Sequence, residues 1–172
     1  MPSQSKFGAL IFLLIISVCA AIPVLAFQNE PDGFRGIKWG TNISKLPDMY
    51  LVEDGGDLKY YTRPYDRMRI GDADIERITY GFYKNRFYRM EIRFSEFSNF
   101  TRLKATFFDQ YGIGVKPHAD LEDYWWVGST VNILIGYNEI TFKGAITILF
   151  RPINEEKATD DKQKAKKGTK KF

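Results

Sequence analysis

The chain has 172 residues, with 25 lysines and arginines against 21 acids, one histidine and one cysteine, for a net charge of +4. A lone histidine and a lone cysteine exclude His/Cys metal centres with several such ligands and any disulfide framework. Aromatic residues make up 16% of the chain, a richness that favours a well-filled, strand-rich core.

The N-terminus reads as an address. Lys6 precedes FGALIFLLIISVCAAIPVLA, residues 7–26, which carries no charge. A positive n-region followed by an apolar h-region is a signal-peptide pattern. Val24-Leu25-Ala26 puts small residues at the −3 and −1 positions of a peptidase site, and Pro23 breaks the helix just before it. The expectation is a signal peptide over 1–26, a mature chain from Phe27, and a periplasmic or extracellular location. The alternative is an uncleaved inner-membrane anchor, because such a run as a helix reaches about 30 Å. Cys19 lies inside the run, but Val18 stands where a lipobox takes a small residue, which argues against lipid attachment. Cleavage would remove the only cysteine.

Residues 27–154 are expected to form a single domain, long enough to bury roughly two-thirds of its unfolded surface. It holds 17 basic and 17 acidic residues, so the excess positive charge lies elsewhere. GIKWG reads as a short strand. Thr41 or Asn42 caps a brief helix, ISKL, which Pro47 ends. LKYYTR and IERITYGFY are strands. In ITYGFYKNRFYRMEIRF (78–94) apolar residues occupy even positions on both sides of Lys84-Asn85, which reads as a hairpin with two half-buried strands. A three-residue loop, Lys84-Asn85-Arg86, would pair Tyr83 with Phe87, Tyr80 with Met90 and Ile78 with Ile92, placing all the apolar side chains on one face. Arg89, Arg93 and Tyr83 would then lie on the other. SNFTRLKATFFDQYG is helical, with Phe100, Leu103, Phe107 and Tyr111 on one stripe, Ser98 or Asn99 as cap and Gly112 as stop. DYWWV, TVNILIGY and ITFKGAITILF resume as strands, although Lys143-Gly144 also suits a turn. The end, EEKATDDKQKAKKGTKKF (155–172), has seven lysines against four acids and reads as a disordered, solvated tail with weak attraction to anionic surfaces.

In chain order these elements predict an α+β fold: an antiparallel sheet of about six strands with two helices on one side, and an αβββ layout that repeats in tandem. Gly81 and Gly136 hold the same place in the two halves.

GFRGIKWGTNISKLPDM, the 78–94 hairpin and the YG helix end resemble small uncharacterised exported proteins of Gram-negative bacteria, over most of residues 34–150. In layout alone the chain is similar to two αβββ families. One is the small lipoprotein of the outer-membrane β-barrel assembly machine. The other is the β-lactamase-inhibitor protein, a tandem repeat whose sheet is a binding surface. Neither family's signature residues can be matched here one by one, so the resemblance implies a binding module and carries no site residues.

The residues give little to chemistry. His118 lies in a loop, IGVKPHADLED, and no G-x-S-x-G elbow accompanies it. No glycine-rich phosphate loop or other cofactor motif occurs, and no cofactor or metal is expected. Asp72, Asp74 and Glu76, and Asp120, Glu122 and Asp123, are clustered acids that a carboxylate-dependent hydrolase could use. The first set also reads as a turn before a strand. The main expectation is an exported, non-enzymatic domain that binds an envelope partner or ligand, with no specific nucleic-acid binding. A hydrolase and a membrane-tethered envelope-assembly accessory protein are the alternatives. The candidate binding residues are Tyr83, Arg89, Arg93, Trp125 and Trp126. Alternation forces the two tryptophans onto opposite faces of a regular strand.

Overall fold

The computed structural model describes residues 27–169. The expected leader, 1–26, lies outside the described residues. Eleven strands and two α-helices follow one another: β1 (Gly33–Phe34), β2 (Ile37–Lys38), β3 (Tyr50–Gly55), β4 (Leu58–Thr62), β5 (Arg69–Ile70), β6 (Ala73–Asp74), β7 (Arg77–Tyr83), β8 (Arg86–Ser95), α1 (Phe97–Tyr111), β9 (Glu122–Val127), β10 (Val131–Asn138), β11 (Lys143–Phe150) and α2 (Arg151–Thr169). A 3-10 turn, Ile43–Lys45, precedes β3, and the Asn42 side chain accepts a hydrogen bond from its Ser44 N–H.

Seven strands make one antiparallel sheet in the order β3-β4-β7-β8-β11-β10-β9; β1-β2 and β5-β6 are separate hairpins. The fold is therefore α+β, with one more sheet strand than the alternation in the sequence shows. The extra strand is β3, on the edge and exposed along its whole length, so no period marks it. Two three-stranded meanders, β4-β7-β8 and β11-β10-β9, meet at β8 and β11. Gly81 and Gly136 occupy the middle strand of each.

One face, here called inner, buries Ile78, Tyr80, Phe82, Met90, Ile92, Ile133, Ile135, Ile146 and Ile148 beneath Phe100, Leu103 and Phe107 of α1. Ile43 and Leu46 of the 3-10 turn pack against the same core. The helices predicted from the sequence thus share one side. At the end of α1, Gly112 donates its N–H to Phe108 O at a φ of 80°. The start differs from expectation. Neither Ser98 nor Asn99 is the N-cap. That position is Glu96, and buried Asn99 instead accepts from Asp74 N–H and donates to Ser95 O, tying β6 to the helix.

The hairpin register confirms the parity and corrects the loop. Ile78 pairs with Ile92 and Tyr80 with Met90, but Tyr83 pairs with Arg86. The loop has two residues, Lys84 and Asn85, both left-handed at φ 47° and 65°, as a type I′ turn requires. A two-residue loop alone would put the apolar sets out of phase. A bulge at Tyr88, between the pairs Gly81–Arg89 and Phe82–Phe87, restores the phase. It also sends Phe87 to the inner core and Tyr88 to the outer face beside Tyr83.

Two further expectations fail. Ile140 and Phe142 are exposed in the β10–β11 turn, and β11 starts only at Lys143. Of the segment read as a disordered tail, residues 155–169 lie in helix α2, and the rest falls outside the described residues. Pro152 suits a first helical turn. Arg151 bonds Glu155, and Lys157 bonds Asp161, four residues on in each case. The helix lies across the outer face of the sheet, with Ile153 packed on Tyr83 and Tyr88.

Candidate functional site: the open outer face

The pleat places Arg89, Glu91 and Arg93 of β8 on the outer face, together with Thr147 and Leu149 of β11, Asn132 and Leu134 of β10, and Trp125 and Val127 of β9. The registers make these neighbours: Leu149 lies opposite Arg89 and Asn132, and Leu134 lies opposite Thr147 and Trp125. Trp125 is 41% exposed, Leu134 38% and Val127 68%. The result is an apolar groove of about 370 Å³ whose lining includes Trp125, Leu134, Leu149 and the side chain of Arg89.

Electrostatics mark one side of this groove. Glu91 lies between two guanidinium groups, Arg89 Nη2 at 3.0 Å and Arg93 Nη2 at 2.6 Å. Arg77 stands directly opposite Arg93 on β7, a like-charge pairing that costs stability. Tyr60, Thr62, Arg77, Glu91 and Arg93 line a second, more polar hollow of about 420 Å³. Arg89 Nε and Asn132 Oδ1, both at the apolar groove, are buried without a hydrogen-bond partner among the described residues. Such groups are rare in folded proteins.

The candidate residues divide. Arg89, Arg93 and Trp125 come together on the open outer face. Trp126, the neighbour of Trp125, is 2% exposed; it sits in the inner core and donates Nε1–H to Gly112 O at 2.8 Å. Tyr83 does point outward as the parity requires, but it is 1% exposed because α2 covers it, and its hydroxyl donates to Asp160 at 2.8 Å. Burial, and then that carboxylate, raise the phenol to about 12. Leu134, Leu149 and Asn132 were missed in the sequence, although the same parity that buries Ile133 and Ile135 places them outside.

Under α2 the outer face already holds a segment of this chain. Lys84 bonds Glu156 and Asp160, Arg86 bonds Glu156 at 2.7 Å, and Asp57 receives Lys164 at 2.9 Å. The bonds from Arg86 and Lys84 hold the Glu156 carboxyl below its usual range, and those from Lys84 and Tyr83 do the same for Asp160. An aliphatic side chain on rings, with acids on flanking cations, is how this face is occupied in cis.

Four of the six clustered acids lie beside basic side chains. Asp72 and Asp74 flank Arg69 at 3.8 and 3.9 Å. Glu122 lies 2.8 Å from Lys116 and 3.7 Å from Lys104. Asp123 bonds His118 Nδ1 at 3.1 Å, and that imidazole stands edge-on to Trp125 at 6.5 Å. Among the described residues, no group of three or more His, Cys, Asp or Glu side chains is placed to hold a metal ion. No described helix is long and apolar enough to cross a membrane. Compared with family models, curated proteins and solved structures, the chain finds no match.

Proposed function

We propose that this protein is an exported, non-enzymatic binding module that docks a segment of an envelope partner on the outer face of its sheet. The segment pairs an acidic residue with an aromatic or aliphatic one. The observation that carries this reading is the apolar strip Trp125–Leu134–Leu149, left open beside the Arg89–Glu91–Arg93 row while α1 covers the opposite face. Tryptophan and arginine dominate binding hot spots, and charge complementarity selects an acidic group. The way α2 sits on the adjacent part of the face, with Ile153 on tyrosines and Glu156 and Asp160 on cations, supports this reading. The likeness in layout to the β-lactamase-inhibitor protein, whose sheet is a binding surface, supports the same reading at the level of fold alone. Export rests on the leader pattern, and intact mass of the protein recovered from the periplasm tests it: Phe27 is the expected N-terminus.

A displayed library of random peptides, selected on the folded protein, tests the docking. Enriched peptides should carry Asp or Glu near Trp, Phe or Leu. Their affinity should fall by about tenfold or more on Arg89→Ala/Arg93→Ala and on Trp125→Ala, the truncation cost of a hot spot. Equal binding to wild type and both variants would overturn the assignment.

A further inference from the structure

Among the described residues, six that are not glycine hold a left-handed backbone. Two of them meet: Glu96, at φ 71°, donates its N–H to the carbonyl of Phe142, at φ 56°, over 3.0 Å. A bulky residue in that region is strained, and such strain clusters at working sites. The Asn138 side chain fixes the same β10–β11 turn by accepting from the N–H groups of Ile140 and Thr141. Beside this turn lies a small cleft of about 240 Å³, lined by Phe97, Tyr137, Phe142 and Glu139. Sites for drug-sized ligands run from about 300 to 1,000 Å³, so this one suits a single compact group. Phe97 is 51% and Phe142 64% exposed, while Tyr137 is buried. The rings of Phe97 and Tyr137 lie 5.6 Å apart with their planes at 58°, so they are set at an angle and not stacked.

Three rings and one carboxylate around a hollow favour a cation. Aromatic rings attract a cation through their negative faces, and Glu139 adds a full charge. Glu139 is exposed and forms no ion pair among the described residues. Described cations stand over Phe34, Tyr83, Phe100 and Tyr124, but none stands over Phe97, Tyr137 or Phe142. Lys143, next in sequence to Phe142, lines the outer-face hollows instead. The amino end of α1 lies close by and disfavours a cation. The Glu96 carboxylate, which accepts from the Ser98 hydroxyl at that end, offsets it. We propose that this cleft binds a quaternary ammonium group, at a site separate from the outer-face groove and independent of the docking proposed there. A primary ammonium brings three N–H donors that need acceptors, and among the lining side chains only the Glu139 carboxylate and the Tyr137 hydroxyl carry oxygen. A quaternary ammonium brings no donor, and its methyl groups match apolar rings.

Amide chemical-shift titration tests this with the protein as it accumulates in the producing cell, using tetramethylammonium chloride against ammonium chloride at equal ionic strength. Tetramethylammonium should shift Phe97, Tyr137, Glu139 and Phe142 saturably, and ammonium should bind roughly tenfold more weakly or worse. Phe97→Leu/Phe142→Leu keeps apolar bulk but removes two rings, and should weaken binding by about tenfold or more. Glu139→Gln, at an exposed position, should weaken it by up to about fivefold, and it keeps the test open if the double variant does not fold. Tyr137→Phe should bind as wild type does, because the Tyr137 hydroxyl has no hydrogen-bond partner among the described residues and the ring is what acts. Choline against phosphocholine separates a free amine from a lipid headgroup, and saturable binding of either at these residues supports the site. No saturable shift with tetramethylammonium, an equal response to ammonium, undiminished binding by the folded double leucine variant, or shifts confined to the outer-face groove would each overturn the proposal.

Discussion

Trp125 and Trp126 are adjacent, yet the pleat gives them opposite fates. The alternation rule separates them but cannot say which is buried. The decision lies with Gly112 and Gly114, where the ring of Trp126 packs against a backbone that has no side chain to obstruct it. Trp126→Ala should cost about 3–5 kcal/mol of stability, as for other large core truncations. Trp125→Ala should cost roughly 1 kcal/mol or less, as for surface changes; urea titration of both variants checks the contrast. Ile92, fully buried, should cost about 2–5 kcal/mol when cut to alanine. A residue that sequence pattern does not single out is Glu30. Its carboxylate accepts from the N–H groups of Ser129, Thr130 and Val131 and from both hydroxyls, and a side chain at Gly128 would collide with it. Burial alone would raise this carboxyl, but the bonds from Thr130 and Ser129 outweigh it and hold the group at about 2, against 4.5 unfolded. The folded value is depressed, so the stabilisation is full above pH 4.5 and is lost as pH falls towards 2. Glu30→Gln should destabilise by about 1.5–3 kcal/mol at neutral pH, the range for hydrogen bonds to a charged group. Its difference from wild type should shrink through that acid window; a constant difference would mean the role is not ionic.

The β7–β8 hairpin was legible at the level of elements because parity is strict: one wrong step moves every apolar side chain to water. The turn was less legible. A three-residue loop and a two-residue loop with a bulge satisfy the same parity, and the choice turns on whether Lys84 accepts a left-handed backbone. It does, and its ammonium reaches Glu156 and Asp160. Asn85→Val should cost about 1–2 kcal/mol for a left-handed β-branched residue, while Asn85→Gly should be tolerated; thermal melting separates them. Helix α2 and strand β3 were missed for the same reason as each other: neither has an apolar stripe. α2 is fixed to the fold mainly by ion pairs made with residues distant in sequence, which no local period encodes. Screening and acid should therefore release it before the sheet unfolds. Glu156 and Asp160 have depressed folded pKa values, so their contribution is present above the unfolded values of 4.5 and 3.8 and fades as pH falls below them. Hydrogen exchange at about 1 M salt, where charges are screened within a few ångströms, should show α2 amides losing protection while β7, β8 and β11 keep theirs. Uniform protection would assign the docking of α2 to Ile153 instead.

At the scale of the whole molecule, the two meanders meet edge to edge at β8 and β11, which leaves one broad sheet with two faces of unequal fate. α1 and the 3-10 turn close the inner face with a continuous aromatic and aliphatic core. α2 closes only the hairpin end of the outer face, and the groove beside it keeps a tryptophan, a leucine and two arginines in reach of solvent. The most direct test of this account is amide chemical-shift mapping with a selected peptide that carries an acid beside an aromatic residue. Shifts should concentrate on β8 around Arg89 and Arg93, on β10 around Leu134 and on β9 at Trp125, and should vanish with Arg89→Ala/Arg93→Ala. Shifts confined to α1, to the 112–121 loop or to α2, with the outer strands silent, would contradict it.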